Sequence, residues 1–427
     1  MITNVRNKKY GLWNISIISM LSVLLFAELI TINYFSSQTY TLLQYLMAIP
    51  ILIYCIKNIH ILFNTHISIV MFLCILILGI SIVVSSYIND VTAYNLRNAI
   101  YFAVLLCVMD MFVTIVGYKK KLDLLLNAGK IYLLFILIAN DLLMFVLPDK
   151  FYNIAGREIG TCLIGNKFVV AYAHMTLLFL LVILYKGEKY AMYRITIYGI
   201  ITMLICLYVD CMTAVLGTAI FLILYFLPKH IKPLLSSPIV FSAAFFGGAF
   251  LLILFDKVLS FGPIQFLIVD VLHRDLTLTG RMEIYYFIFK LLATHKWFGY
   301  GYGTNIVETT SIWYANAQNA FWDFAICYGF IALAILFLFL VIVICKCNKV
   351  QSLFGMSKYT YVCTCMLYIY IFMGIGEIVY NKLFIFYVVL LGAACIQLCS
   401  FKNKSVRNLV LPQKKSKYIQ RNEIYFL

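Results

Sequence analysis

Apolar runs about as long as a bilayer's hydrocarbon core is thick, roughly twenty residues each, recur from end to end of this chain. That recurrence leaves few folds open. Inside hydrocarbon every backbone amide and carbonyl must be bonded within the protein, so a spanning segment is a helix or part of a closed barrel. The ten-residue alternation of a barrel is absent. Only 12% of the 427 residues are charged and 64% are hydrophobic, where a soluble chain would be nearer a quarter charged. The chain therefore reads as an all-α polytopic membrane protein. Twelve spans are predicted, near 11–34, 39–56, 66–85, 97–117, 130–147, 168–185, 195–210, 213–228, 239–255, 320–345, 359–376 and 379–400. The first run is too long for a signal-peptide core and lacks a clear cleavage site, so it is expected to remain as a span. A tight turn at Asp210, Cys211 and Met212 joins the seventh span to the eighth.

The net charge of +16 would suit a nucleic-acid partner if it were clustered, but it is spread over short loops. With the N-terminus inside, 23 of the 33 basic residues fall on the cytoplasmic side. Most acids fall outside. This bias predicts both termini in the cytoplasm. The basic tail, 401–427, is read as an anionic-lipid contact. Most of the thirteen cysteines sit inside spans, which argues against a disulfide framework. Cys345 with Cys347, and Cys363 with Cys365, are CxC pairs without a matching histidine, so buried apolar thiols are favoured over zinc. The two halves differ in loop lengths and show no paired broken spans, against an inverted-repeat transporter.

A chain this apolar exposes little, so its external segments report on function. Three stand out: 85–97 with Asp90 and Arg97; 149–167 with Arg157, Glu158 and Lys167; and the long loop 256–318. In the long loop Gly262 and Pro263 open a short helix, proline being favoured at the first helical position. Asp270, His273 and Arg274 follow within about a turn. A second helix is expected from about Gly280, with Glu283 in its first turn, where the helix dipole favours an acid. Its body, 284–289, is apolar all round and is expected to lie under other loops or in the interface. The segment 297–303, WFGYGYG, suits neither helix nor ordinary strand. It suits backbone that passes close to something, with rings alongside.

These features resemble the O-antigen polymerase and ligase superfamily, the Wzy-type repeat-unit polymerases and their relatives. The points of likeness are Gly280-Arg281, the WFGYGYG crossing, then Gln318-Asn319 leading into a span with Gly329-Phe330-Ile331-Ala332-Leu333. Family members commonly carry HN and G-x-x-G-L there; this chain has Gln318 for the histidine and Ala332 for the second glycine. The resemblance implies a GT-C-like bundle of about twelve transmembrane helices with one large late extracellular loop, in a bacterial plasma membrane. It treats 1–427 as one integral domain. It also implies glycosyl transfer on the outer face, from a glycan on undecaprenyl diphosphate to a hydroxyl of another lipid-linked repeat unit. Membrane lipid, a flippase and chain-length regulators are the implied partners, with no cofactor.

The leaving diphosphate gathers negative charge, and arginine meets it with fork geometry. Arg281 holds the family's GR position. Arg157, Arg274, Arg97 and Lys167 are the other external cations. Each could instead be a solvated loop residue or a headgroup contact. The attacking hydroxyl needs a base within hydrogen-bond reach. Gln318 cannot serve, which leaves Glu283, Asp270, Asp275 and His273, each with a plain reading as cap, ion pair or solvated residue. Trp297, Tyr300, Tyr302, Trp313, Tyr314 and Trp322 could stack on sugars, with Gln318 and Asn319 beside them, or could be interface aromatics. No Asp-x-Asp pair or acid cluster at metal spacing occurs, so no metal is expected. Glu28, Asp110, Asp141 and Asp323 lie in or near spans, where a carboxylate invites a functional reading. The alternatives to a polymerase are a ligase of the same superfamily and a lipid-linked oligosaccharide flippase. The Gln318 departure weakens the ligase more.

Overall fold

The computed structural model describes residues 17–30, 32, 37–146, 163–185, 188, 190–228, 230–251, 261–266, 269–270, 281–310 and 316–410. Side chains at 37, 38, 40, 41, 264, 281–283, 285, 286 and 401–410 fall outside that description.

Within the described residues all regular structure is helical. In chain order the helices are α1 Ile17–Leu29, α2 Ser37–Lys57, α3 His66–Ile88, α4 Ala93–Tyr118 and α5 Leu122–Val146. Then come α6 Lys167–Tyr185, α7 Ala191–Tyr208, α8 Met212–Phe226 and α9 Pro238–Phe250. The short α10 Gly262–Phe266, α11 Arg281–His295 and α12 Ile306–Thr310 precede α13 Ala320–Phe354, α14 Lys358–Met373 and α15 Lys382–Val410. Among the described residues seven helices are long and apolar enough to cross a membrane: α3 to α7, α13 and the Lys382–Ser400 part of α15. The chain is thus multi-pass by length and composition. Of the other five expected spans, one falls on the 21-residue α2 and four fall on the shorter helices α1, α8, α9 and α14.

Polar side chains set the helix starts. Thr65 and Thr92 accept the amides of Ser68 and Asn95, both at 3.3 Å, and so open α3 and α4. Ser357 accepts Thr360 N–H at 3.1 Å to open α14. A capping oxygen satisfies an amide that has no partner in the first helical turn.

Contacts sort the helix ends into two sets. At one end Asn95 bonds Gly303, Lys167 pairs with Asp210, Thr213 bonds Glu377 and Ala320 bonds Gly374. At the other, Lys119 bonds Asn58, Lys120 bonds the Ser400 carbonyl, Lys358 pairs with Asp123 and Ser236 bonds Gln351. The first set holds the segments expected outside, the second the lysine-rich segments expected in the cytoplasm. α6 and α15 are the most enclosed of the long helices, and α7 turns most of its surface outward. The intramembrane carboxylate Asp141 is paired locally, 3.3 Å from His174 Nε2 and 3.2 Å from Asn140 Nδ2. Asp110 is fully buried beside Thr114. At the α7–α8 turn, burial pushes the Cys211 thiol up to about 11, which leaves it protonated and inert.

Candidate functional site

The site begins where α13 breaks. Gly329 has φ 80° and ψ 171°, so the helix loses its regular bonds there. The freed groups are taken by the glycine-rich crossing. Tyr300 N–H donates to Ile326 O and Gly301 N–H to Cys327 O, both at 2.8 Å. In return Phe330 N–H donates to Lys296 O at 2.8 Å and Ile331 N–H to Trp297 O at 3.3 Å. Irregular backbone at membrane depth is tolerated where protein satisfies it in this way. Ser85 at the end of α3 donates to Phe298 O, and Ser86 Oγ accepts Tyr302 N–H at 2.9 Å.

The crossing therefore passes close to α13 itself. Gly299 sits at φ 64°, and a Cβ there would lie 2.5 Å from Ile326 O. A Cβ on Gly329 would overlap the Trp297 carbonyl oxygen. Gly329→Ala should accordingly lower the melting temperature of the solubilised protein by several degrees and reduce its accumulation. The left-handed backbone alone costs on the order of 1–3 kcal/mol for a residue with a Cβ. Gly247→Ala, where nothing lies within 4 Å, is the control. An unchanged melting temperature for Gly329→Ala would mean that the crossing does not seat in the break.

Beside this joint lies a cavity of about 500 Å³ with both polar and apolar walls. Its walls come from α2 (Gln44), α4 (Tyr94, Asn98, Tyr101), the crossing (Tyr302), α13 (Asp323, Tyr328) and the α14–α15 link (Tyr380, Asn381, Lys382). Neighbouring rings hold two of the tyrosines: Tyr302 lies tilted 5.6 Å from Phe102, and Phe324 meets Tyr328 edge to face at 4.8 Å, centroid to centroid. On the far side of Tyr101, α2 and α4 form an apolar groove of about 450 Å³, with Arg97 among its lining residues. Tyr101 belongs to both walls, with the Tyr45 ring 5.2 Å away. The Tyr101 hydroxyl donates to Glu28 Oε2 at 2.7 Å, and Lys382 Nζ donates to the Glu28 carbonyl. The Arg97 guanidinium lies over the Tyr94 ring at 5.3 Å, next to the cavity wall. Amides, a carboxylate, an ammonium and five tyrosines converge here, a surface suited to a hydroxyl-rich ligand.

Of the residues singled out from sequence, Tyr302 lines the cavity and Arg97 the groove. Asn319 caps α13: its Oδ1 accepts Phe321 N–H at 3.0 Å and Trp322 N–H at 3.2 Å, and its Nδ2 donates to Ile375 O. Gln318 takes φ 46° just before it, its N–H on Asn316 Oδ1 at 2.9 Å. Tyr300 faces α11 instead, its hydroxyl 2.8 Å from Thr294 Oγ1 and its ring 4.1 Å from that of His295. Trp297 is exposed beneath Lys296, and Asp270 is exposed. Lys167 is 3.3 Å from Asp210, away from the cavity walls. Arg281 and Glu283 occupy the first turn of α11, which rests on α13 through Phe289 and Trp322, ring centroids 5.2 Å apart. Their side chains lie outside the described residues, as do Arg157, His273, Arg274, Asp275, Trp313 and Tyr314. Sequence reasoning missed Lys382, Tyr101, Asn98 and Asn381. The one signal for Lys382 was its place among the few basic residues on the expected outer side.

No protein-family model matches the chain, and no curated protein matches it.

Proposed function

We propose that the protein is a membrane glycosyltransferase that joins undecaprenyl-diphosphate-linked oligosaccharide repeat units into a surface polysaccharide at the outer face of a bacterial plasma membrane. The observation that carries this reading is the meeting of two unlike surfaces at Tyr101: a tyrosine-lined cavity with amide, carboxylate and ammonium groups in its wall, and an apolar groove lined in part by Arg97. A polyprenyl-linked glycan has those two parts, with a diphosphate between them. Arg97, Lys382 and the Arg281 of the GR pair are the cations proposed to meet that diphosphate as its charge grows. The order of GR, glycine crossing and Gln318-Asn319 supports the same class by resemblance. The break in α13 speaks against a flippase, because the crossing satisfies its freed carbonyls instead of leaving them for a transported ion. A ligase of the same superfamily would use this site with a different acceptor.

Cells lacking the protein should accumulate single lipid-linked repeat units on the outer leaflet and lose long chains. Extraction of lipid-linked oligosaccharide, with leaflet accessibility read by an impermeant glycan-labelling reagent, tests this. Units held on the cytoplasmic leaflet would favour the flippase. An absence of accumulated units would sink the polymerase reading.

A further inference from the structure

We propose that Asp323 takes the proton from the acceptor hydroxyl in the transfer step, an inference that rests on the glycosyltransferase reading above. Three observations carry it. Asp323 is the only carboxylate among the described residues that lines the 500 Å³ cavity. It stands on α13 five positions beyond Gln318, at the wall that Tyr302 and Tyr328 complete. Its carboxylate is also sparsely bonded. Among the described residues it holds Ala317 N–H at 3.4 Å and the Cys327 thiol at 4.0 Å, both long.

An acid in the first turn of a helix is ordinarily explained as a cap or a dipole partner. Here the capping is already done. Asn319 Oδ1 takes the Phe321 and Trp322 amides, and the Ala320 amide goes to Gly374 O at 2.8 Å. Among the described residues Asp323 therefore keeps lone pairs to accept from a ligand in the cavity. The neighbouring Asn98, Asn381 and Gln44 amides can hold the other hydroxyls of a sugar ring and so orient one toward the carboxylate.

In the step itself the acceptor oxygen bonds the donor's anomeric carbon. The bond from that carbon to the diphosphate oxygen breaks, and its electron pair leaves with the diphosphate. The hydroxyl proton passes to Asp323. A positioned base contributes on the order of 10²–10⁴ in rate.

The test uses the full-length protein in liposomes, with lipid-linked oligosaccharide extracted from cells that lack it. Asp323→Asn keeps size and hydrogen bonding but cannot take the proton. Its kcat should fall about a hundredfold or more, while KM for the lipid-linked units stays within about threefold. Asp323→Glu should recover part of the rate. A residue that only supports the fold would move protein yield and KM together and would not be rescued by glutamate. Asp323→Ser removes the carboxylate in a second way. Either carboxylate-free variant turning over within threefold of wild type overturns the proposal. Failure of both to accumulate assigns Asp323 to the fold and overturns it too. If cells lacking the protein yield no lipid-linked units, or wild type does not polymerise them, the function reading has failed. Turnover by wild type alongside normal turnover by Asp323→Asn defeats the present inference alone.

Discussion

Lys382→Met is expected to cut polymer formation by about a hundredfold or more. Lys382 opens α15 and lines the cavity, with Nζ on the Glu28 carbonyl and the Glu28 carboxylate close enough to attract it. A cation held in a water-poor site acts on developing diphosphate charge without having to reorganise. One such donor contributes about 3 kcal/mol, or roughly a hundredfold in rate. Methionine matches the length and removes the charge. The danger is structural, since losing Lys382 leaves the Glu28 carbonyl without its donor and the buried Glu28 carboxylate without its nearby cation, at a cost of about 1–3 kcal/mol. The Lys382→Met/Glu28→Gln double variant separates the two effects, because glutamine can still accept from Tyr101 while carrying no charge. The double variant should accumulate like wild type and remain inactive. Activity in the double variant within threefold of wild type would remove Lys382 from the site.

Arg281→Ala is expected to be as severe, with protein level and membrane insertion unchanged. Arg281 begins α11 and follows Gly280 in the sequence. Buried Ile284 and Ile288 anchor the helix, and Phe289 meets Trp322 of α13, so contacts farther along the helix hold it to the bundle. Loss of a forked donor to the diphosphate should cost on the order of a hundredfold. Arg281→Lys retains charge without the fork and should fall between wild type and alanine. Normal-length polymer made at the normal rate by Arg281→Ala would remove Arg281 from the site. Arg157 would then become the first candidate for the phosphate contact.

Much of the candidate site was invisible before folding because its members come from five separated stretches. Tyr101 and Asn98 read as ordinary positions in a span, and nothing in the sequence near Lys382 marks it as facing Tyr302. The glycine crossing shows the limit most clearly. Three glycines alternating with aromatics announce a close approach, but the partner is Gly329, twenty-six residues beyond Gly303, in a helix that reads as unbroken. Asn319 was legible as polar and special. Its role as the α13 cap appears only with the amides it satisfies.

By itself the sequence determined what hydrocarbon demands: apolar segments of bilayer length, helical because their amides have no water to turn to, and lysines gathered at one set of ends. The tertiary structure alone decided which helices enclose one another, which polar groups are used up in pairs, and which remain free to face a cavity. Those outcomes depend on contacts between distant parts of the chain. Hydrophobic length and local spacing say nothing about them, because each helix would satisfy its own backbone equally well beside any neighbour.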